Sequence, residues 1–271
     1  MRLISYLTGT TGGPRIGVRV GHRVLDIEAA SRVDGEPLPS TMKALLREGR
    51  GALSRVQALA RKAQSDAGRF SAALCEERAI RFLPPVPDAD RFVRTREGQA
   101  PVTVAAAGLV GHGSKLAIPA AAQRSACDPA LVFVIGRRAA GVKAADDAMD
   151  YAVGVTLLND FSEAGANGAS SPVGPEIVTM DELADPYDLW LTCSVNGTER
   201  LRVSTGDLAR ALPAILEQIS RAKPMEAGDM LSASALAAGR SDGKDLAVKP
   251  GDVVESSLEG ITTLRTTLVE S

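Results

Sequence analysis

Residues 131–162 read LVFVIGRRAAGVKAADDAMDYAVGVTLLNDFS, and this stretch decides the fold. A buried strand is predicted at 131–135, and it ends at Gly136. A short helix is predicted over about 144–151. A second apolar strand at 153–158 leads into the polar pair Asn159-Asp160, which we expect at the end of that strand.

The composition is that of an ordinary globular chain. Its 271 residues are 45% hydrophobic and 24% charged, enough for one large domain or a small domain plus a larger one. Aromatic residues make up only 3% and the formal charge is -2, so we expect no nucleic-acid partner. No apolar run approaches the ~20 residues that a membrane span needs. We therefore expect no membrane association.

The cysteines and the N-terminus bear on the compartment. Three widely spaced cysteines predict neither a disulfide framework nor a zinc site. The first residues, MRLISYLTGTTGG, lack a basic region followed by an apolar one, so they do not match a secretory signal. We expect a cytoplasmic protein.

Residues 1–83 are predicted to form a small N-terminal unit. Alternating patterns predict three strands at 2–7, 16–20 and 23–27, and a hairpin turn at Gly21-His22 joins the last two. Two helices are predicted next, one after Ser40 as N-cap and one over 52–63. Pro84-Pro85-Val86-Pro87 then forms an extended connector. A second domain is predicted at 84–271.

The second domain is predicted to be rich in strands. The segments that read as strands are 116–118, 131–135, 153–158, 177–179, 189–195, 200–203, 230–231, 253–254 and 263–269. Asn196-Gly197 is a strong hairpin turn. One amphipathic helix is predicted over 207–219, with Pro213 implying a kink or a late start. Strands without regular strand–helix alternation favour a β-rich α+β fold over a doubly wound sheet.

Several motifs together carry a family resemblance. They are the LPPVP connector at 83–87, Leu109-Val-Gly-His-Gly113, Ala130 to Gly136, Asp150-Tyr-Ala-Val-Gly154, Asn159-Asp160, Pro172-Val-Gly-Pro175, Pro224 to Asp229 and Pro250-Gly-Asp252. The chain resembles the fumarylacetoacetate hydrolase family over nearly its whole length. The resemblance implies a mixed β-roll C-terminal domain, a small N-terminal α+β domain and a homodimer.

The resemblance also implies a metal site that this chain has largely lost. Family members bind Mg²⁺ or Mn²⁺ through a Glu-x-Glu pair before the first core strand and an Asp after the second. These positions align with Asp128, Ala130 and Asp160, so one ligand is shortened, one is a methyl group and one is retained. Pro129 further restricts the backbone between the first two. We expect no tightly bound cofactor. The alternative is Mg²⁺ or Mn²⁺ held by Asp128, Asp160 and substrate.

Four residues are candidates for acid–base catalysis. Asp160 and Asp128 are candidates through the aligned positions. Glu163 could replace the lost Glu or share a proton with Asp160. His112 is one of only two histidines and suits proton transfer near neutral pH. The alternatives are turn residues for the two aspartates, a solvated loop for Glu163 and a surface loop for His112.

Four more residues are candidates for substrate binding. Arg91, Arg94 and Arg96 stand where the family carries Asn-Tyr-x-x-His, and guanidinium forks could clamp an anionic substrate where the metal would lie. They could equally lie on a solvated loop. Ser234 aligns with the family's Gly-Thr-Pro substrate loop. Replacement of polar positions by small apolar residues predicts a ligand larger and less charged than fumarylacetoacetate-type acids.

Three functional hypotheses follow. The first is an enzyme acting on a carbonyl, β-dicarbonyl or polyketide-like small molecule without a tightly bound metal, by cyclisation, isomerisation or hydrolysis. The second is a conventional metal-dependent hydrolase or decarboxylase of a keto acid. The third is a non-catalytic protein that binds a ligand or a protein partner.

Overall fold

The computed structural model describes residues 1–9, 12–95, 100–118, 125–143, 148–161, 171–209, 212–234 and 246–271. Strands β1 to β18 span, in chain order, Arg2–Thr8, Arg15–Val20, Arg23–Asp26, Leu74–Glu76, Ile80–Phe82, Phe92–Arg94, Val102–Val104, Leu109–Val110, Lys115–Ile118, Ser125–Ile135, Ala152–Phe161, Ser171–Thr179, Trp190–Val195, Thr198–Ser204, Met230–Ser234, Ala247–Val248, Val253–Leu258 and Thr262–Glu270. Helices α1 to α5 span Ile27–Asp34, Met42–Glu48, Arg50–Ser65, Thr205–Ala209 and Leu212–Ala222.

The strands form two sheets. The main path of a 13-stranded sheet runs β4-β3-β2-β1-β12-β11-β10-β15-β6-β7, and a 5-stranded sheet runs β14-β13-β17-β18-β9. Most neighbouring pairs are antiparallel, while β15–β6, β12–β8 and β18–β9 are parallel. The predicted β-rich α+β architecture is confirmed.

The N-terminal helices begin where side chains cap them. Asp26 accepts a hydrogen bond from the Ala29 amide and starts α1, a helix that the sequence patterns did not predict. Thr41, rather than the predicted Ser40, caps α2, because its hydroxyl accepts from the Ala44 amide at 3.3 Å. The third helix, α3, contains the predicted segment 52–63.

Strand pairing runs across the proposed domain boundary. Leu3 of β1 lies opposite Ile177 of β12, so the N-terminal strands extend the same sheet that contains β10 and β11. The Ser5 hydroxyl also donates to the Pro85 carbonyl at 2.7 Å. The division into 1–83 and 84–271 therefore stays a prediction about chain organisation.

The central strand β10 separates two cores. Successive side chains of a strand point to opposite faces. Leu131 and Phe133 pack with residues of the 5-stranded sheet. Val132 and Val134 pack with the side of the sheet that α1, α2 and α3 cover. Any polar residue on β10 is therefore assigned to one side by its parity alone.

Both core strands are longer than the sequence predicts. Asn159 and Asp160 lie near the end of β11, as predicted, and opposite Pro129 and Asp128 of β10, so the alternative of a turn at this pair is wrong. β15 pairs with β10 only from Ala130 onward, so none of the described strands pairs with Pro129 on that side. A proline is tolerated there because no amide donor is required.

The predicted helix over 207–219 is two helices in the described part of the chain. α4 covers Thr205–Ala209, and α5 covers Leu212–Ala222. Pro213 is the second described residue of α5. Residues 210 and 211 lie outside the described part of the chain, so the kink or late start at Pro213 stays a prediction.

Candidate active site

Four polar side chains lie on one face of four neighbouring strands. The strand order β11-β10-β15-β6 carries Asp160, Asp128, Ser234 and Arg94 respectively. Asp128 has the parity of Val132, and Arg94 has the parity of Phe92, both of which belong to the core on the helix side. The sheet therefore gathers these four residues on its helix side, at one end of the core strands.

The two aspartates are direct cross-strand neighbours. Asp128 lies opposite Asp160 in the β10–β11 register. Cβ atoms of such a pair are typically about 4.5–5.5 Å apart, and like charges at that spacing are destabilising. Asp160 is only 2% exposed, so solvent contributes little to screening the pair. A compensating positive charge is expected nearby.

Arg94 supplies that charge. Its Nη1 donates to Asp160 Oδ1 at 3.1 Å, and the two side chains are 17% and 3% exposed. On the other carboxylate, the Ser234 hydroxyl donates to Asp128 Oδ2 at 2.6 Å. The cluster thus consists of a guanidinium–carboxylate pair beside a hydroxyl–carboxylate pair.

Ala130 belongs to β10, one of the two strands that separate the strands carrying Arg94 and Asp160. In the sheet, β15 and β10 separate β6 from β11, so the Arg94 side chain must pass over them to reach Asp160. Ala130 of β10 is directly opposite Ser234 of β15 and has the same parity as Asp128. A longer side chain at this position would compete for the space that the guanidinium crosses. The small residue and the arginine are therefore complementary.

Asn159 points away from this cluster. Its side-chain amide donates to Thr266 Oγ1 at 3.0 Å and its carbonyl oxygen accepts from Ser256 Oγ at 2.5 Å. All three residues are fully buried between the two sheets. Asn159 therefore fixes β11 on the 5-stranded sheet while its neighbour Asp160 faces the candidate site. Adjacent residues of a strand point to opposite faces, so the sequence already implied that Asn159 and Asp160 face different sides of the sheet.

The donor set does not fit a tightly bound divalent cation. Mg²⁺ and Mn²⁺ favour several oxygen ligands. Asp160 already bonds a guanidinium, Asp128 accepts from Ser234, and Ala130 contributes no oxygen. Among the described residues no group of three or more His, Cys, Asp or Glu side chains could hold a metal.

Arg91 directly precedes β6, and its side chain bonds residues outside the carboxylate cluster. Its guanidinium donates to the carbonyls of Lys223 and Pro224 at 3.2 and 2.8 Å, and its amide donates to Asp229 at 3.1 Å. Burial raises the pKa of Asp229. These contacts attach the chain before β6 to the loop after α5. The structure does not bring Arg91 into the carboxylate cluster.

Thr95 holds the far end of β6 in place. Its amide donates to Ser232 Oγ at 3.1 Å, and its hydroxyl donates to the Ser232 carbonyl at 2.8 Å. Both residues are buried. Thr95 directly follows Arg94, so this double contact limits the positions from which the guanidinium can extend. Neither residue stood out in the sequence.

His112 contacts residues outside the four-residue cluster. Its Nδ1 accepts from the Arg265 amide at 3.2 Å, and its ring packs edge-on against Phe82 with centroids 5.2 Å apart. Burial lowers the pKa of His112. Gly111 beside it approaches the Phe82 carbonyl so closely that a Cβ would lie 2.2 Å from the oxygen. The turn is thereby fixed on β5 and β18.

Two other candidates, Glu163 and Arg96, lie outside the described residues.

The sequence comparisons agree with this architecture. Residues 98–269 match the family model described as fumarylacetoacetate (FAA) hydrolase C-terminal. The mitochondrial oxaloacetate tautomerase FAHD2A of Bos taurus is 28% identical over 293 residues, which cover 96% of this chain and 88% of the relative.

The structural comparisons agree as well. A maleylpyruvate hydrolase from Sphingobium sp. SYK-6 superposes with a TM-score of 0.78 at 21% identity, covering 100% of both chains. The same hydrolase in complex with manganese (II) ion and pyruvate gives a TM-score of 0.76, also at 21% identity and with full coverage of both chains. These two likenesses concern the fold. Within the described residues, no helix combines the length and apolar character needed to cross a membrane.

Proposed function

The chain belongs to the fumarylacetoacetate hydrolase family, and from this premise we propose that it isomerises or hydrolyses a small carbonyl compound without a tightly bound metal ion. Membership at the family level is shown by the match over residues 98–269. That the chain is an enzyme is supported by relatives named as tautomerases, isomerases and hydrolases. The non-catalytic hypothesis is therefore set aside.

One observation supports the metal-free part of the proposal. The guanidinium of Arg94 lies beside Asp160, in the region where the family alignment expects a divalent cation. Enolate and carboxylate oxygens bind guanidinium groups through two parallel hydrogen bonds. A fixed guanidinium can therefore stabilise the negative charge that develops on a carbonyl oxygen.

The remaining groups supply proton transfer. Asp128 accepts a hydrogen bond from a hydroxyl, whereas Asp160 accepts one from the Arg94 guanidinium. We assign Asp128 to the removal of a proton next to the substrate carbonyl. The electron pair then moves onto the carbonyl oxygen near Arg94, and Asp128 returns the proton at the isomeric position. Ser234 orients the carboxylate through its 2.6 Å hydrogen bond.

The substrate class follows from the relatives as a proposal. Oxaloacetate and maleylpyruvate, named for the tautomerase and the hydrolase, are both 2-oxo acids. Such compounds have an acidic proton next to a carbonyl, which the proposed step requires. The prediction of a larger and less charged ligand remains open.

The test uses oxaloacetate and maleylpyruvate as probes. Ultraviolet absorbance would follow the enol-to-keto change and the hydrolysis, with EDTA present and then with Mn²⁺ added. We expect turnover in EDTA and a fall of roughly 100-fold or more in kcat for Asp128→Asn, the size typical of a lost general base. Asp150→Asn is the matched control because Asp150 is an exposed aspartate. Activity that disappears in EDTA and returns with Mn²⁺ would contradict the proposal.

A metal-dependent reaction is the second candidate. It is favoured by the adjacency of Asp128 and Asp160 and by the manganese bound to the structural relative. Calorimetric titration separates the two candidates, since micromolar Mn²⁺ binding by the wild-type chain supports this one. The matched gain-of-ligand variant, Ala130→Glu combined with Arg94→Met, should bind Mn²⁺ under the first proposal while the wild type does not.

The homodimer and the cytoplasmic location stay predictions, and the Bos taurus relative is named as mitochondrial.

A further inference from the structure

A cavity lies between residues of the first two strands and the C-terminal part of the chain. It measures about 350 Å³, a size within the range of small-molecule sites. Its polar and aromatic lining includes Arg2, Arg19, Glu77, Phe82, His112, Glu176 and Thr262. None of these residues belongs to the four-residue carboxylate cluster.

Arg19 bonds two carboxylates, one buried and one partly exposed. Its Nε donates to Glu176 Oε2 at 2.8 Å, and the Glu176 side chain is 2% exposed. Its Nη1 and Nη2 both donate to Glu77, at 3.3 Å for Nη2, and the Glu77 side chain is 36% exposed. Glu176 is therefore a fixed partner, whereas Glu77 is a surface partner at the forked end of the guanidinium.

The two arginines that line the cavity are matched by two glutamates only while the Glu77 carboxylate stays bonded to Arg19. Arg2 approaches Glu176 at 3.6 Å and donates to the Ile261 carbonyl at 2.8 Å. Arg2 also lies 3.8 Å from Glu182, which does not line the cavity. Two arginines thus face two glutamates within the lining. Displacing the Glu77 carboxylate leaves a forked cation that another carboxylate can bind in the same geometry.

The other lining residues suit an aromatic ring that carries a polar group. Phe82 and His112 form an edge-to-face aromatic pair along one side. Burial lowers the pKa of His112, so the ring is neutral at pH 7. Thr262 is more than nine-tenths buried, and its Oγ1 has no hydrogen-bond partner among the described residues.

We propose that this cavity is a second binding site, which takes a small aromatic carboxylate. The ligand carboxylate replaces Glu77 on the Nη1 and Nη2 edge of Arg19, and its ring packs along Phe82 and His112. Glu77 then acts as an internal competitor that occupies the fork when no ligand is bound. The ring contacts with Phe82 and His112 would let an aromatic carboxylate compete with the intramolecular Glu77 carboxylate.

The test measures benzoate and acetate binding by calorimetry and by NMR titration. Glu77→Gln removes the competing charge, and we expect it to bind benzoate at least tenfold more tightly than the wild type does. Acetate should bind more weakly than benzoate because it lacks the ring. In the Glu77→Gln background, Phe82→Ala should return benzoate binding toward the level of acetate.

Glu199→Gln is the matched control. Glu199 also forms a two-bond pair with an arginine, Arg202, at 2.9 Å for both bonds, but on the open surface. We expect no gain in benzoate affinity for this variant. Equal gains in the two variants, or no gain in Glu77→Gln, would overturn the proposal. Neither variant alters the candidate active site, so the outcome is independent of the proposed reaction.

Discussion

Replacing Arg94 by methionine should destabilise the protein through Asp160. The ion pair spans 3.1 Å, and its partners are 17% and 3% exposed, so it does not belong to the weak class of surface pairs. Two unit charges about 4 Å apart attract by about 4 kcal/mol at an effective dielectric constant of about 20. Removing one partner of a buried pair typically costs about 3–5 kcal/mol.

The lower end of that range is expected here. The Arg94 side chain is 17% exposed, so water can partly solvate the site in Arg94→Met. We expect a loss of about 3 kcal/mol in the free energy of unfolding. For a chain of this size the loss corresponds to a fall in Tm of roughly 6–12 °C.

A double-mutant cycle in urea tests the reasoning. Asp160→Asn in the Arg94→Met background removes the uncompensated charge, so the double variant should be more stable than additivity predicts by about 2 kcal/mol. Arg221→Met is the control because Arg221 is 70% exposed and pairs with Glu217 on the helix surface. It should change stability by less than about 1 kcal/mol. Additive effects of the two site variants within about 0.5 kcal/mol would refute the coupling.

The other predictions concern the turn at residues 111–113. Because burial lowers the pKa of His112 below its usual 6.5, the unfolded chain binds more protons in that range, and stability should fall as the pH drops below about 6.5. His112→Asn, which keeps an acceptor for the Arg265 amide, should flatten this dependence in urea denaturation between pH 5 and 8; an unchanged slope would contradict it. Gly111→Ala should cost about 1–3 kcal/mol because the new Cβ would lie 2.2 Å from a backbone oxygen. Gly51→Ala, with nothing within 4 Å of its Cβ, should be neutral or stabilising in the same thermal melts, and equal losses would refute the packing argument.

Local patterns in the sequence predict much of the fold. Alternation and turn residues predict β1, β2, β3 and the Asn196-Gly197 hairpin, and the structure confirms them. Asn196 adopts φ 52° there, as this turn requires. The polar pair Asn159-Asp160 lies near the end of β11, as predicted, but it pairs with β10 and does not form a turn. Each of the two side chains has a partner, one on each face of the sheet.

The candidate site was only partly accessible to such reasoning. Asp128, Asp160, Arg94 and Ser234 all stood out in the alignment with the family. Their mutual contacts did not, because β6 and β11 are not neighbours in the sheet and Arg94 and Asp160 are 66 residues apart. The sequence likewise placed His112 among the acid–base candidates, whereas its contacts with Phe82 and Arg265 fix a turn.

The sequence by itself determined most of the core strands, the hairpin turns and the family, because alternation and turn chemistry are local properties of the chain. It also determined that Ala130 lacks a metal ligand. Only the tertiary structure decided what compensates for that loss, since strand order brings the Arg94 guanidinium across the small Ala130 side chain to the buried Asp160. Charge compensation in a buried site depends on distances between strands that no local pattern encodes.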